Sequence, residues 1–473
     1  MRSLFPLLIF RSAFAYHTRM LILVDEDIPD GPEAFATLGE VRTFSGRSVG
    51  AADLAGADAL VVRSVTRVDE RLLAGSGIRF VGTVTTGTDH VDVSWLERHG
   101  IAFASAAGCN APTVAEYVLA AVLLLAGRLG FDPGARTLGI IGVGRIGSRV
   151  ARWAKPLGMS VLLCDPPLRR RTGDSCFIDA AELTRRADLV TLHVPLTEAG
   201  PDATRDLVDE RWLVGLKEGA ILINTSRGEV VKEDCLPGAL DAGRLSAVVL
   251  DVWRNEPNID PALLRRIALA TPHIAGYSVE ARRRGVGMIA EALAAFAGEQ
   301  GGAKDSETRH GRTERAGAIR QRRTPKADSP QDEDLPGGNT GLPRETAAAG
   351  GRGIGPTIGA PRTRGCKPMP PTLGSSEQQR PIPVDVGGML RAAGLTPAAP
   401  VWQQAGAVVG RCCDLGGIDA AFREAVFQAP AATAFDGLRR ACASRNEFRA
   451  YHLRGDASTA GVCSLLSTFG FRA

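Results

Sequence analysis

The stretch Gly142-Val143-Gly144-Arg145-Ile146-Gly147 sets three glycines at a spacing that serves one kind of chemistry, the holding of a pyrophosphate. Gly142 permits a tight turn, Gly144 lets an anion approach the backbone, and Gly147 lets the following helix pack close, its N-terminus facing the anion. The surroundings fit. Leu138 to Ile141 reads as a short buried strand, and a helical pattern starts near Ser148. A second apolar run, Ser160 to Cys164, ends at Asp165, about 20 residues beyond the turn, where a carboxylate can accept hydrogen bonds from ribose hydroxyls. An acid there favours NAD over NADP.

Such a turn needs parallel strands and helices to carry it, and the chain supplies them in alternation. From Met20 the apolar runs are 21–24, 59–62, 78–82 and 101–104, separated by helix-length segments, which implies parallel βα units. After the turn come strands at 187–192, 219–224 and 245–253. Polar residues gather where these runs end: Asp25 and Glu26, then Arg63, Ser64 and Thr66, then 83–89 with Thr85, then Asn224 to Arg227, then Asp251 and Glu256. His273 follows in the last apolar stretch. Ligands of open parallel sheets collect at the carboxyl ends of strands, so Arg63, Ser64 and Thr85 are candidates for gripping an anionic substrate. Residues 112–127 form the most hydrophobic helix candidate, apolar nearly all round and therefore buried between layers.

The 473 residues allow two or three domains, and 44% hydrophobic content is ordinary for an α/β protein. We read no apolar run as membrane-spanning. The net charge is +4, but residues 301–380 hold 14 Lys+Arg against 9 Asp+Glu, so the rest of the chain is near neutral. That segment has no aromatic residue and reads as a disordered linker, with Arg309 to Lys326 a solvated tether rather than a nucleic-acid contact. Nine cysteines without metal-site spacing suit reduced thiols in a cytoplasm. Residues 1–19 superficially resemble a signal peptide; Met20 opens a clean strand, and translation is expected to begin there.

Asn-Thr-Ser-Arg-Gly with Arg227, Asp-Val-Trp followed by Asn-Glu-Pro with Glu256, and Thr-Pro-His-Ile-Ala-Gly with His273 resemble the three catalytic signatures of the D-isomer-specific 2-hydroxyacid dehydrogenases. Within that group, GTDHVD, GCNAPTVAEYV, VVLDVW and PHIAGYS are most similar to the branch that oxidises 4-phospho-D-erythronate in pyridoxal phosphate biosynthesis. The resemblance covers about 20–297 and resumes from FDGLRRACASRNEF to the end.

That resemblance implies two Rossmann/flavodoxin-like parallel-sheet domains plus a small α+β C-terminal domain. It divides the chain into an extension (1–19), a substrate-binding domain (20–111 with 284–300), an NAD-binding domain (112–283), the linker (301–383) and a C-terminal dimerisation domain (384–473). The oxidation needs a hydride acceptor, a base and a cation. NAD is the first, His273 the base, Glu256 its orienting partner and Arg227 the planar fork for the carboxylate. The same resemblance places Val194, Ser226, Arg227, Asp251 and Gly276 beside the cofactor and Ser64, Thr85 and Tyr277 beside the substrate. Another hydroxy acid of this group, or a non-catalytic NAD-sensing role, remains open at this point.

Overall fold

The structure, a computed structural model, describes residues 20–309, 382–428, 431–469 and 471–472. The expectations for 1–19 and for most of the 301–383 linker lie outside the described residues.

Two wholly parallel sheets carry the fold. The first contains β1 (Leu21–Asp25), β2 (Glu40–Phe44), β3 (Ala59–Val62), β4 (Phe80–Thr83) and β5 (Ala102–Ser105), in the order β2-β1-β3-β4-β5. The second contains β6 (Thr137–Ile141), β7 (Ser160–Cys164), β8 (Leu189–Leu192), β9 (Ala220–Asn224), β10 (Leu245–Leu250) and β11 (Leu269–Ala270), in the order β11-β10-β9-β8-β6-β7. In each sheet the chain reverses direction beside the first strand, which opens a crevice at the strands' carboxyl ends. The glycine turn leaves β6 at that point.

Two helices tie the sheets together. Ala111–Leu129 is enclosed by apolar contacts on nearly every side and ends on Gly130 in the left-handed conformation, φ 69°. By length and mean hydropathy it could cross a bilayer, contrary to our reading of the apolar runs, but 72% of that window is buried inside the protein. The second helix, Val279–Arg309, returns to the first sheet, where Val286, Ile289 and Leu293 share a core with Ile22, Phe35 and Phe80. It runs to Arg309, nine residues into the segment read as linker.

The C-terminal segment adds β12 (Ile382–Asp385) and β13 (Tyr451–Arg454), paired in parallel, and five helices. It packs on the nucleotide-binding half of its own chain. Ala405, Val408 and Val409 join the core of the connecting helix, while Phe422 and Phe435 join Trp253 and Leu264 beside the second sheet.

Candidate active site

The glycine turn has the geometry its spacing predicts. Gly142 takes φ 87°, and a Cβ there would lie 2.4 Å from the His193 carbonyl oxygen. A Cβ on Gly147 would lie 2.1 Å from the Gly142 carbonyl oxygen, so the helix Gly147–Ala154 packs too close for a side chain. At Gly144 a Cβ meets nothing within 4 Å: the backbone faces open space. Asp165 accepts from the Val143 amide (2.8 Å) and the Leu168 amide (2.9 Å), and each oxygen keeps a lone pair for a further donor. These residues fit a dinucleotide.

The Arg227 loop is locked by Asn224 at the end of β9. Its buried side chain accepts from the Ser226 amide (3.0 Å) and hydroxyl (2.7 Å) and donates to the Arg227 carbonyl (2.8 Å). The next residue must be glycine, because a Cβ on Gly228 would lie 2.0 Å from the Trp253 carbonyl carbon. Arg227 reaches across to the 83–89 loop. Its Nε and Nη2 donate to Asp89 at 3.0 and 2.8 Å, and Nη1 donates to the Ser226 carbonyl at 2.8 Å. Three of five donors are thereby committed, leaving one N–H on each Nη. Burial pushes the Asp89 carboxyl up, but Arg227 outweighs it and holds the group below its usual range.

His273 Nδ1 and Glu256 Oε1 are 2.5 Å apart. Burial raises the Glu256 carboxyl, while the His273 contact, with help from Arg439, brings it below its ordinary value. His273 itself sits at φ 54°, a conformation costly for a non-glycine residue and held by its neighbours. Its amide donates to the Asp251 carbonyl (2.6 Å). Asp251, fully buried, accepts from the Thr271 hydroxyl (2.6 Å), the Ile274 amide (2.7 Å) and the Ala275 amide (2.8 Å). Burial raises its carboxyl. Expected beside the cofactor, Asp251 does line the cleft, and what its carboxylate holds in this structure is the His273 loop.

One cleft of about 860 Å³ brings the candidates together: Ser64, Thr85, Gly144, Val194, Ser226, Arg227, Asp251, Glu256, His273, Gly276 and Tyr277 all line it. Gly142, Gly147 and Asp165 are not among the residues that line it. Gly276 is pinned against Asn110, whose Nδ2 would be 2.3 Å from a Cβ. Arg63 lines the cleft too, but it is paired with Asp25 (3.0 Å) and Asp27 (2.5 Å) and is not the free anion grip its type suggested. The Thr85 hydroxyl donates to the Gly87 carbonyl (3.1 Å). His90 lines the cleft with its ring 3.0 Å from the Thr83 hydroxyl, and burial lowers it to about 4, so it is neutral at pH 7.

Sequence reasoning missed the support behind the His273 loop. Arg445, buried, donates to the carbonyls of Ala275 (2.7 Å), Ile274 (3.2 Å) and Tyr277 (3.2 Å). Glu447 accepts from Thr113 (2.5 Å) and pairs with Arg284, joining the C-terminal segment to both helices that link the sheets. Both residues lie in the RNEF stretch, which no local pattern marks as part of a site.

A dinucleotide turn and an Arg, Glu and His set facing one cleft between two parallel sheets define a two-domain NAD-binding dehydrogenase of 2-hydroxy acids. Residues 125–275 match the family described as D-isomer specific 2-hydroxyacid dehydrogenase, NAD binding domain. The chain is 51% identical over 280 residues to the erythronate-4-phosphate dehydrogenase of Edwardsiella ictaluri, covering 59% of this chain and 75% of the relative. It is 49% identical over 281 residues to that of an Escherichia coli strain, covering 59% and 74%. Among solved structures, the TT0316 protein of Thermus thermophilus superposes with a TM-score of 0.50 at 30% identity, covering 58% of this chain and 96% of that one. The chain belongs to the erythronate-4-phosphate dehydrogenase family.

Proposed function

We propose that this protein oxidises 4-phospho-D-erythronate at C2, giving 2-oxo-3-hydroxy-4-phosphobutanoate, with NAD as acceptor, in the synthesis of pyridoxal phosphate. The observation that carries the reading is the 2.5 Å His273–Glu256 pair in the cleft that also holds Arg227, in a chain half identical to enzymes named for this substrate.

Bound NAD supplies the hydride acceptor. His273, held at Nδ1 by Glu256, takes the hydroxyl proton through Nε2; the carboxylate fixes the tautomer and stabilises the imidazolium as it forms. Arg227, oriented by Asp89 and Ser226, offers one N–H from each Nη to the substrate carboxylate and the developing keto oxygen. Ser64, Thr85 and Tyr277 line the substrate end, and closure of the first domain on the second excludes water. Asp165 and the backbone at Gly142, Gly144 and Gly147 hold the nucleotide, with Val194, Ser226, Asp251 and Gly276 around it.

The domain division we assign is the one the resemblance implies, and the proposed partner is a small phosphorylated hydroxy acid rather than a membrane or nucleic acid. A cytoplasmic location accords with the eight described cysteines, all free. Homodimerisation through 384–473 rests on the family resemblance, and sedimentation of the full chain tests it. The substrate is tested by incubating the protein and NAD with 4-phosphoerythronate and, in parallel, 3-phosphoglycerate, trapping the keto acid. Product from phosphoerythronate alone is expected; product from phosphoglycerate alone would refute the assignment.

A further inference from the structure

A substrate with a carboxylate at one end and a phosphate at the other needs two cationic grips, and Arg227 accounts for only one. Ser64 and Thr85 bring hydroxyls but no charge. The other arginines of the cleft fall into two groups. Arg63 is neutralised by Asp25 and Asp27, Arg47 pairs with Asp436 at 3.1 Å, and Arg145 belongs to the nucleotide turn. Arg282, Arg439 and Arg440 line the same cleft, and among the described residues no carboxylate pairs with any of them.

Two of these converge. The Arg282 guanidinium lies 5.3 Å and that of Arg439 5.6 Å from the centre of the Tyr277 ring. Both are half-buried, whereas Arg440 is exposed. Arg282 is anchored by an Nη2 bond to the Ala443 carbonyl, 2.7 Å. Arg439 comes from the helix Ala431–Ala441, and its charge is felt at Glu256. Two like charges gathered on one ring, with no carboxylate pairing either, repel each other in a partly dehydrated cleft, and an anion placed between them relieves that repulsion.

We propose that Arg439 and Arg282, both set against the Tyr277 ring, form the subsite for the terminal phosphate of the substrate. The C-terminal segment then contributes directly to substrate selection, and phosphorylated hydroxy acids are preferred over their unphosphorylated counterparts because a dianion meets two guanidinium forks. This inference rests on the substrate reading above.

The test compares the full-length protein with Arg439→Gln and Arg439→Lys, using 4-phosphoerythronate and D-erythronate as substrates and titrating inorganic phosphate against the NADH-saturated enzyme. For Arg439→Gln the expected result is a roughly 10- to 100-fold loss of kcat/KM on phosphoerythronate, carried mainly by KM. The loss on erythronate should be under about threefold, and inorganic phosphate should bind correspondingly more weakly. Arg439→Lys should recover part of the loss. An equal loss on both substrates, or unchanged phosphate affinity, would overturn the subsite. If the wild type turns over neither compound, the substrate reading falls, and the phosphate titration alone decides the subsite.

Discussion

His273 and Glu256 meet at 2.5 Å through Nδ1 and Oε1, with His273 held at φ 54° by the buried Asp251 beneath it. In the proposed mechanism Glu256 is both an orienting group and the counter-charge for an imidazolium. Glu256→Gln should keep a hydrogen bond but lose the charge, lowering kcat by on the order of 10²-fold. Steady-state rates with 4-phosphoerythronate check this; turnover within about threefold of wild type would assign Glu256 a packing role.

Arg227 is the guanidinium assigned to the substrate carboxylate. Arg227→Ala should cost about 3 kcal/mol or more in transition-state stabilisation, since a charged donor leaves a desolvated site and Asp89 loses its partner. Arg227→Lys should recover little, because an ammonium cannot reproduce the fork. The check is kcat/KM with 4-phosphoerythronate; turnover of either variant within tenfold of wild type would remove Arg227 from this role.

Arg445 supports the loop from behind, on three carbonyls. Arg445→Met leaves those carbonyls without donors in a buried place, so stability should fall by about 3 kcal/mol or more. Turnover should fall further than NADH affinity, because the His273 loop loosens while the glycine turn is untouched. Thermal unfolding and NADH titration on the same preparation separate the two effects.

Glu233 offers a pH test away from the chemistry. Burial raises its carboxyl to about 7, although it accepts from the Arg254 amide at 2.7 Å. A carboxyl raised in the folded state contributes stability that is fully present below its unfolded value, about 4.3, and lost as pH rises through 7. Glu233→Gln should therefore stabilise the protein at pH 8 by on the order of 1–3 kcal/mol and make little difference at pH 4. Denaturant unfolding at the two pH values checks the sign.

Much of this was legible in the sequence because short-range physics wrote it there. The strand–glycine–helix signal around Gly142 and the buried runs of β3, β4, β8 and β9 follow from periodicity and turn chemistry. β2 was not read, because Glu40–Phe44 is an edge strand with charged, exposed residues and no apolar run. The pairing of Arg63 with Asp25 and Asp27 escaped because it joins the ends of different strands. Arg445 escaped for the same reason at longer range: its partners lie about 170 positions earlier in the chain.

The most direct measurement is product formation by wild type and His273→Gln from 4-phosphoerythronate and NAD, with the keto acid trapped and NADH binding measured on both. Trapped keto acid is expected from the wild type, at least about 10²-fold less from the variant, and equal NADH affinity in the two. Turnover by the variant within tenfold of wild type, or NADH bound by a wild type that forms no keto acid, would contradict the assignment of His273 as the base of this oxidation.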